Sequence, residues 1–381
     1  MKTAAQQAQK SKAVATEIPD RCTAAVFEGP NQPLALREVD VPTELGPGEI
    51  LCRVRMSTIC GSDLHTVFGR RPEPVPSILG HEIVGEIVDH HAHDLRDSNG
   101  MPLSRSDRVT WSIAASCLAC RYCRTGMPQK CVRLRKYGHL PLNEPPHITG
   151  GYCEYVCLMP GTALFKVPPG LSDEVITPAN CTLATAQNAV ERVALSQKDT
   201  VLIQGAGLLG LYLCALAGSE GCACIIVTDP DPERLQMARR FGAHHCLCVD
   251  DRERAELVRR VRACCPNGSL TVSFEACGAR EAPGIAADAL DIGGRILLAG
   301  LVTPMSLLDI DANQVIRKYL TIAGIHNYEP AHLRKAVDFL RTHRTIYPFE
   351  QIVGAVYPLA RINEAIEQAS LGKHIRVAVK P

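Results

Sequence analysis

The chemistry-bearing residues of this chain gather at Thr58-Ile59-Cys60-Gly61-Ser62-Asp63-Leu64-His65 and again at Gly80-His81-Glu82. A thiol, a hydroxyl, two carboxylates and two imidazoles stand within these two short runs. Cys60 and His81 offer one soft and one borderline metal ligand from separate segments. The mixture points to a catalytic zinc and the first steps of a proton path, provided the rest of the chain supplies a further ligand and a reaction partner.

A second thiol cluster follows at Cys117, Cys120, Cys123 and Cys131, spaced C-x2-C-x2-C-x7-C in a stretch rich in Arg, Gly and Pro. Such a segment lacks the apolar periodicity to build a core. Four thiolates close a tetrahedral zinc shell and hold the segment together, leaving no open position, so this second zinc is expected to be structural. A nucleic-acid zinc ribbon would normally use two separated C-x2-C knuckles instead.

The reaction partner is suggested further on. Gly205-Ala206-Gly207-Leu208-Leu209-Gly210 reads G-x-G-x-x-G, follows the apolar run Val201-Leu202-Ile203 and opens an apolar helical stretch. Asp229 ends the next strand-like run, 19 residues after Gly210. This is the context a dinucleotide fingerprint requires: Gly205 for the tight turn, Gly207 for close approach of backbone to pyrophosphate, Gly210 for helix–strand packing. The helix N-terminus at Leu208 and Leu209 would offer amide donors to the phosphates. Asp229 can accept hydrogen bonds from both adenosine ribose hydroxyls. It would repel a 2′-phosphate by about 4 kcal/mol at roughly 4 Å and an effective dielectric near 20, which favours NAD over NADP. Arg234, five residues on, stands beside the adenine or could accommodate a phosphate.

The elements that must position these groups fall into two kinds. From Thr23, short alternating runs (Ala24–Phe27, Leu34–Val39, Glu49–Met56, His81–Val88) read as strands with functional loops between them, and Asp94–Asp107 as a surface excursion. Glu174–Leu195 reads as one helix with Asn180-Cys181-Thr182 near its start. From Asp199 strands and helices alternate as in a doubly wound parallel sheet, and the C-terminal portion returns to mixed structure. The expected class is α/β: an all-β or α+β unit first, carrying the four-cysteine lobe at 115–133, then a doubly wound parallel-sheet unit. Residues 1–20 carry no apolar h-region and are expected to form a mobile tail.

Composition narrows the function classes. Lys+Arg number 41 against Asp+Glu 40 in 381 residues, so no polyanion-binding signature is present and nucleic acid is not an expected partner. No apolar run approaches the roughly 18 residues needed to span a bilayer, so no membrane role is expected. Eighteen cysteines without a secretion signal fit metal ligation and buried thiols in a reducing, cytoplasmic compartment.

Taken together, the Cys60–His65 run, Gly80-His81-Glu82, the four-cysteine lobe, Gly150-Gly151-Tyr152, the glycine fingerprint with Asp229, and Gly372-Lys373-His374-Ile375-Arg376 resemble the zinc-containing medium-chain alcohol dehydrogenase family, over nearly the whole chain from Thr23. The resemblance implies a mostly-β, GroES-like catalytic domain at 21–185 and 335–381, a Rossmann cofactor domain at 186–334, two zinc ions per chain and NAD. It implies Cys60, His81 and Cys181 as catalytic zinc ligands, with Glu82 beside the metal and able to enter its shell. Asp63 would orient His81 through its second ring nitrogen. A zinc with three protein ligands keeps a fourth position for substrate oxygen and lowers its pKa. Ser62 would accept the proton and pass it through the nicotinamide ribose to His65. Arg376 would contact a cofactor phosphate. Many alcohol dehydrogenases carry a basic residue where this chain has Gly61, so a polyol or otherwise polar alcohol is favoured over ethanol.

The whole chain is also similar to a subgroup proposed to act in phosphonate catabolism; Arg70, Arg71, Lys136, His139 and His147 are the cations available to an anionic substrate. The family commonly assembles as homodimers or homotetramers through strands near Leu297–Leu301 and Leu320–Ile325. Two other readings compete: a zinc-free quinone or enoyl reductase, and a non-catalytic nucleotide- or redox-sensing protein. Both metal sets oppose the first, and the Ser62/His65 pair opposes the second.

Overall fold

The structure, a computed structural model, describes residues 18–249 and 253–381; the expected N-terminal tail lies almost wholly outside them. Two sheet systems share the chain. The first is a seven-stranded sheet ordered Leu164–Lys166, Arg108–Trp111, Glu82–His90, Ile50–Thr58, Arg376–Lys380 and Val353–Pro358, with Tyr155–Leu158 also paired to Ile50–Thr58. A three-stranded sheet of Ala35–Asp40, Arg21–Phe27 and Ser77–Ile78 packs beside it. The second system is a six-stranded sheet ordered His245–Cys248, Cys224–Asp229, Thr200–Gln204, Val272–Glu275, Arg295–Leu298 and Thr321–Gly324. All its pairings are parallel. In chain order this is 3-2-1-4-5-6, the arrangement whose reversal point opens a dinucleotide crevice.

The local reasons are visible in the residues. Thr200–Gln204 is buried at every position, as a central parallel strand covered on both faces must be. The helix Leu208–Ser219 is apolar on nearly all sides and buried accordingly. Helix Pro232–Arg240 starts cleanly because Asp231 accepts from the Glu233 amide at 2.8 Å and Pro232 presets the first turn.

Strand register builds the site. Ile50–Thr58 pairs on one side with Glu82–His90, placing Thr58 opposite Glu82, and on the other with Arg376–Lys380, placing Thr58 opposite Ala378. The Ile59 amide continues that second ladder to the Val377 carbonyl at 2.9 Å. Cys60, Glu82 and Arg376 therefore leave three adjacent strands at one end of one sheet, although the last is about 300 residues from the others in sequence.

Two expectations are corrected. The Cys60–His65 run is not a loop: residues Gly61–Val67 form a helix with Cys60 as its N-cap. Glu174–Leu195 is not one helix. Asp173–Ile176 is followed by a 3-10 turn at Thr177–Asn180, and the main helix begins only at Thr182. Pro178 lacks the amide an uninterrupted helix needs, and Cys181 takes the non-helical angles φ −121°, ψ −73°. The break is what turns the Cys181 thiol away from the helix and toward His81.

Candidate active site

Cys60, His81, Glu82 and Cys181 each bring a ligand atom within 4.8 Å of the others. Cys181 Sγ lies 3.4 Å from His81 Nε2. Tetrahedral zinc, with Zn–S near 2.3 Å and Zn–N near 2.05 Å, sets its S···N and S···S ligand separations at about 3.6 and about 3.8 Å. The donor set fits: two thiols and an imidazole, with the Glu82 carboxylate beside them. The far ring nitrogen of His81 lies 3.2 Å from Asp63 Oδ1, and the other carboxylate oxygen of Asp63 accepts from the Cys60 amide at 2.9 Å. One carboxylate thus orients both a histidine and a cysteine ligand, and fixes the histidine tautomer that leaves Nε2 free. The Cys181 thiol and the Arg376 guanidinium hold Cys60 well below the ordinary thiol range.

Behind the cluster, Glu82 is fully buried. It accepts from Thr58 Oγ1 at 2.5 Å, from Thr182 Oγ1 at 3.0 Å, and from Arg376 through Nε at 3.0 Å and Nη2 at 3.1 Å. Burial pushes the Glu82 carboxyl upward against the pull of Arg376. The structure places Arg376 here, 3.8 Å from Cys60 Sγ, and it is not among the residues lining the dinucleotide cleft. Thr58, Thr182 and Asn180 were named in the sequence only as members of the runs that carry Cys60 and Cys181, with no role of their own. Only the proximity of Thr58 and Thr182 to ligand positions could have flagged them.

Ser62 and His65 lie on the first turns of the helix that Cys60 caps. His65 Nδ1 is buried with no hydrogen-bond partner among the described residues. Burial, then the charge of Arg70, pulls the imidazole below its ordinary range.

Of the five cations considered for an anionic substrate, Arg71 and His139 both face Glu73, at 2.8 and 2.7 Å. The His139 ring centroid lies 5.5 Å from that of His81. His147 is exposed and bonded to the Leu142 carbonyl, and Arg70 lies over the Phe68 ring. Lys136 is half-buried, and burial lowers its pKa.

The four-cysteine lobe is assembled. Its sulfurs stand 3.5 Å (Cys120–Cys123) and 4.0 Å (Cys117–Cys123, Cys120–Cys131) apart, bracketing the zinc-thiolate spacing. The amides of Cys117, Cys120 and Arg133 point at sulfurs at 3.3–3.4 Å. The Ala119 amide and Cys131 bring Cys117 down to about 5, so it is a thiolate at neutral pH. All eighteen cysteines are unpaired.

At the reversal point of the parallel sheet a cavity of about 740 Å³ is lined by Gly205, Gly207, Asp229, Arg234, Arg254 and Cys277, among others. Gly205 takes φ +107°, and a side chain at Gly210 would strike the Gly205 carbonyl at 1.8 Å. Both glycines are thus required by geometry. The Asp229 carboxylate accepts from the Ala206 amide at 2.7 Å and the Asp231 amide at 2.9 Å. Arg234 is held to the Gly372 carbonyl at 2.9 Å, and Arg254 is paired with Asp288 and Asp309.

Comparison with known proteins matches this geometry to a lineage. Residues 46–169 match the family described as alcohol dehydrogenase GroES-like domain, and residues 209–342 that described as zinc-binding dehydrogenase. The chain is 32% identical to the L-threonine 3-dehydrogenase of Vibrio cholerae over 307 residues, 79% of this chain and 82% of that one. It belongs to the zinc-containing medium-chain alcohol dehydrogenase family. As a member of that family it is an NAD(P)-dependent, zinc-dependent oxidoreductase, with a structural four-cysteine zinc site and a catalytic Cys/His/Glu zinc site. It is also 28% identical to 5-exo-hydroxycamphor dehydrogenase of Pseudomonas putida over 87% of this chain and 92% of that protein. Among solved structures, an alcohol dehydrogenase of Thermotoga maritima superposes with a TM-score of 0.89 at 29% identity, covering 95% of this chain and 99% of its own. No helix of the described residues is long and apolar enough to cross a membrane.

Proposed function

We propose that the chain oxidises a polar primary or secondary alcohol to the aldehyde or ketone with NAD as hydride acceptor. Cys60, His81 and Cys181 hold the catalytic zinc, and Cys117, Cys120, Cys123 and Cys131 hold the structural one. The observation that carries the reading is the meeting of two thiols and an imidazole from three segments, with the buried Asp63 carboxylate bracing both Cys60 and His81. Zinc supplies a Lewis acid that makes the alcohol proton easy to lose. Ser62, two residues from Cys60, takes that proton, and His65 passes it toward solvent. Glu82, tied to Arg376, stays beside the ligands as a reserve carboxylate. The Asp229 carboxylate, oriented by two amides, opposes a 2′-phosphate, while Arg234 is bonded to the Gly372 carbonyl and Arg254 is paired with Asp288 and Asp309; these support NAD. Residues 186–334 serve as the cofactor unit and 21–185 with 335–381 as the catalytic unit. Cytoplasmic residence is supported by the unpaired cysteines.

For the substrate, Lys136 supports an alcohol bearing an anionic group such as a phosphonate. It has no ion-pair partner among the described residues, and the thiols Cys60 and Cys181 are close enough to act on its charge. An NAD-reduction screen across simple alcohols, neutral polyols and phosphonate-bearing alcohols tests this, run with zinc-loaded chain and with chain whose accessible zinc has been chelated. Turnover must vanish with the accessible zinc while the fold persists. Turnover that survives metal removal, or none with any alcohol, overturns the reading. Cys181→Ser should hold one zinc where the native chain holds two.

A further inference from the structure

The hydrogen bonds behind Cys181 lead to a residue outside both the ligand set and the proton path. Tyr328 sits where the chain returns from the parallel sheet, between Thr321–Gly324 and the helix Pro330–His343. It is 4% exposed. Its hydroxyl donates to the Asn180 carbonyl and accepts from the Ile113 amide at 3.1 Å. Asn180 in turn donates through Nδ2 to the His81 carbonyl and the Trp111 carbonyl, each at 3.1 Å. The peptide whose carbonyl Tyr328 holds is the one that leads into Cys181.

A single asparagine therefore fixes the main chain at both His81 and Cys181, two ligand positions 100 residues apart, and Tyr328 fixes that asparagine. Hydrophobic filling does not account for the hydroxyl. A phenylalanine would fill the same space, leaving the Ile113 amide and the Asn180 carbonyl without this partner.

The residues just before Tyr328 are tied as well. The Asn327 carbonyl accepts from Asn188 Nδ2 at 2.7 Å, and His326 Nδ1 lies 3.0 Å from Lys130 Nζ of the four-cysteine lobe. Three consecutive residues thus reach the helix after Cys181, the lobe and the backbone of the ligand cluster.

We propose that Tyr328, acting through Asn180, is a positioning residue for the catalytic zinc site, setting the approach of Cys181 to His81. The proposal rests on the reading of Cys60, His81 and Cys181 as zinc ligands. Loss of a partner that orients a metal ligand typically costs 10–100-fold in metal affinity or activity.

The test uses the full-length, zinc-loaded chain, native and with Tyr328→Phe or Asn180→Ser. Zinc transfer to a chromogenic chelator is resolved into its two steps, and the visible spectrum is recorded after cobalt replaces the catalytic zinc. In both variants the catalytic zinc should leave about 10–100-fold faster, with the four-cysteine zinc leaving at the native rate. The cobalt–thiolate bands should shift, and kcat should fall while KM for NAD stays put. Native release rates with unchanged cobalt bands overturn the proposal. Loss of both zincs together assigns Tyr328 to general packing and overturns it too. A native chain that binds only the four-cysteine zinc refutes the ligand reading itself, a result seen before any variant is compared, and the proposal falls with it.

Discussion

Arg376 and Glu82 form a two-contact ion pair directly behind the catalytic cluster, with Nε–Oε2 at 3.0 Å and Nη2–Oε1 at 3.1 Å. The glutamate side chain is wholly buried and the arginine 12% exposed. The same guanidinium nitrogen reaches Thr182 Oγ1 at 3.0 Å and lies 3.8 Å from Cys60 Sγ. A carboxylate next to a metal ligand is thereby engaged by a protein cation, and the cation also supports the neighbouring thiolate.

Breaking this pair from one side should be far worse than removing both charges. Arg376→Met leaves an uncompensated buried carboxylate, which typically costs about 3–5 kcal/mol. The double variant Glu82→Gln/Arg376→Met should recover a substantial part of that loss. Urea unfolding of the zinc-loaded single and double variants measures the coupling, and additive losses would show that the pair contributes nothing of its own.

This pair also shows where the sequence was legible. Local spacing carried the four-cysteine lobe, the glycine fingerprint and the runs around Cys60 and His81, because each is a short segment with its chemistry written in order. The alternating strands and helices after Asp199 were readable for the same reason. What could not be read was lateral pairing. That Arg376–Lys380 lies beside Ile50–Thr58 depends on a register between segments about 300 residues apart. The role of Asn180 and Tyr328 likewise depends on a helix break at Pro178 that apolar periodicity bridged as if it were continuous.

Cofactor choice should follow Asp229. At roughly 4 Å and an effective dielectric near 20, its repulsion of a 2′-phosphate is about 4 kcal/mol, close to a thousandfold. Solvent screening reduces this, so Asp229→Ser should narrow the NAD-over-NADP ratio of kcat/KM by about 10- to 1000-fold. Losing the bonds from the Ala206 and Asp231 amides should also weaken NAD itself. Parallel kinetics with both cofactors decide the matter, and an unchanged ratio would remove Asp229 from the recognition of the ribose.

The last strand of the parallel sheet, Thr321–Gly324, is an edge, and Ile292, Val302, Met305, Ile316 and Tyr319 around it are all more than 60% exposed. An open edge with apolar flanks needs covering. We expect a second copy of the chain, in a homodimer or within a homotetramer, to provide that cover. Ile316→Glu combined with Val302→Glu should lower the mass seen by sedimentation to that of the monomer, with zinc content retained. A native chain that already sediments as a monomer would rule the association out.

The proton path makes a prediction with a definite sign. Burial and then Arg70 depress the His65 imidazole below its ordinary value of about 6.5. A group depressed on folding contributes stability above the unfolded value and loses it as pH falls through the folded one. At pH 7 His65 is therefore neutral and able to accept a proton. Alcohol oxidation should hold steady above pH 6.5 and decline as pH falls through the lower folded value, whereas carbonyl reduction, which draws a proton, should not share that limb. His65→Gln should slow oxidation and flatten the acid limb of its kcat profile. Profiles of kcat against pH in both directions, native beside variant, provide the check. An acid limb that survives unchanged in the variant would mean that some other group carries the proton.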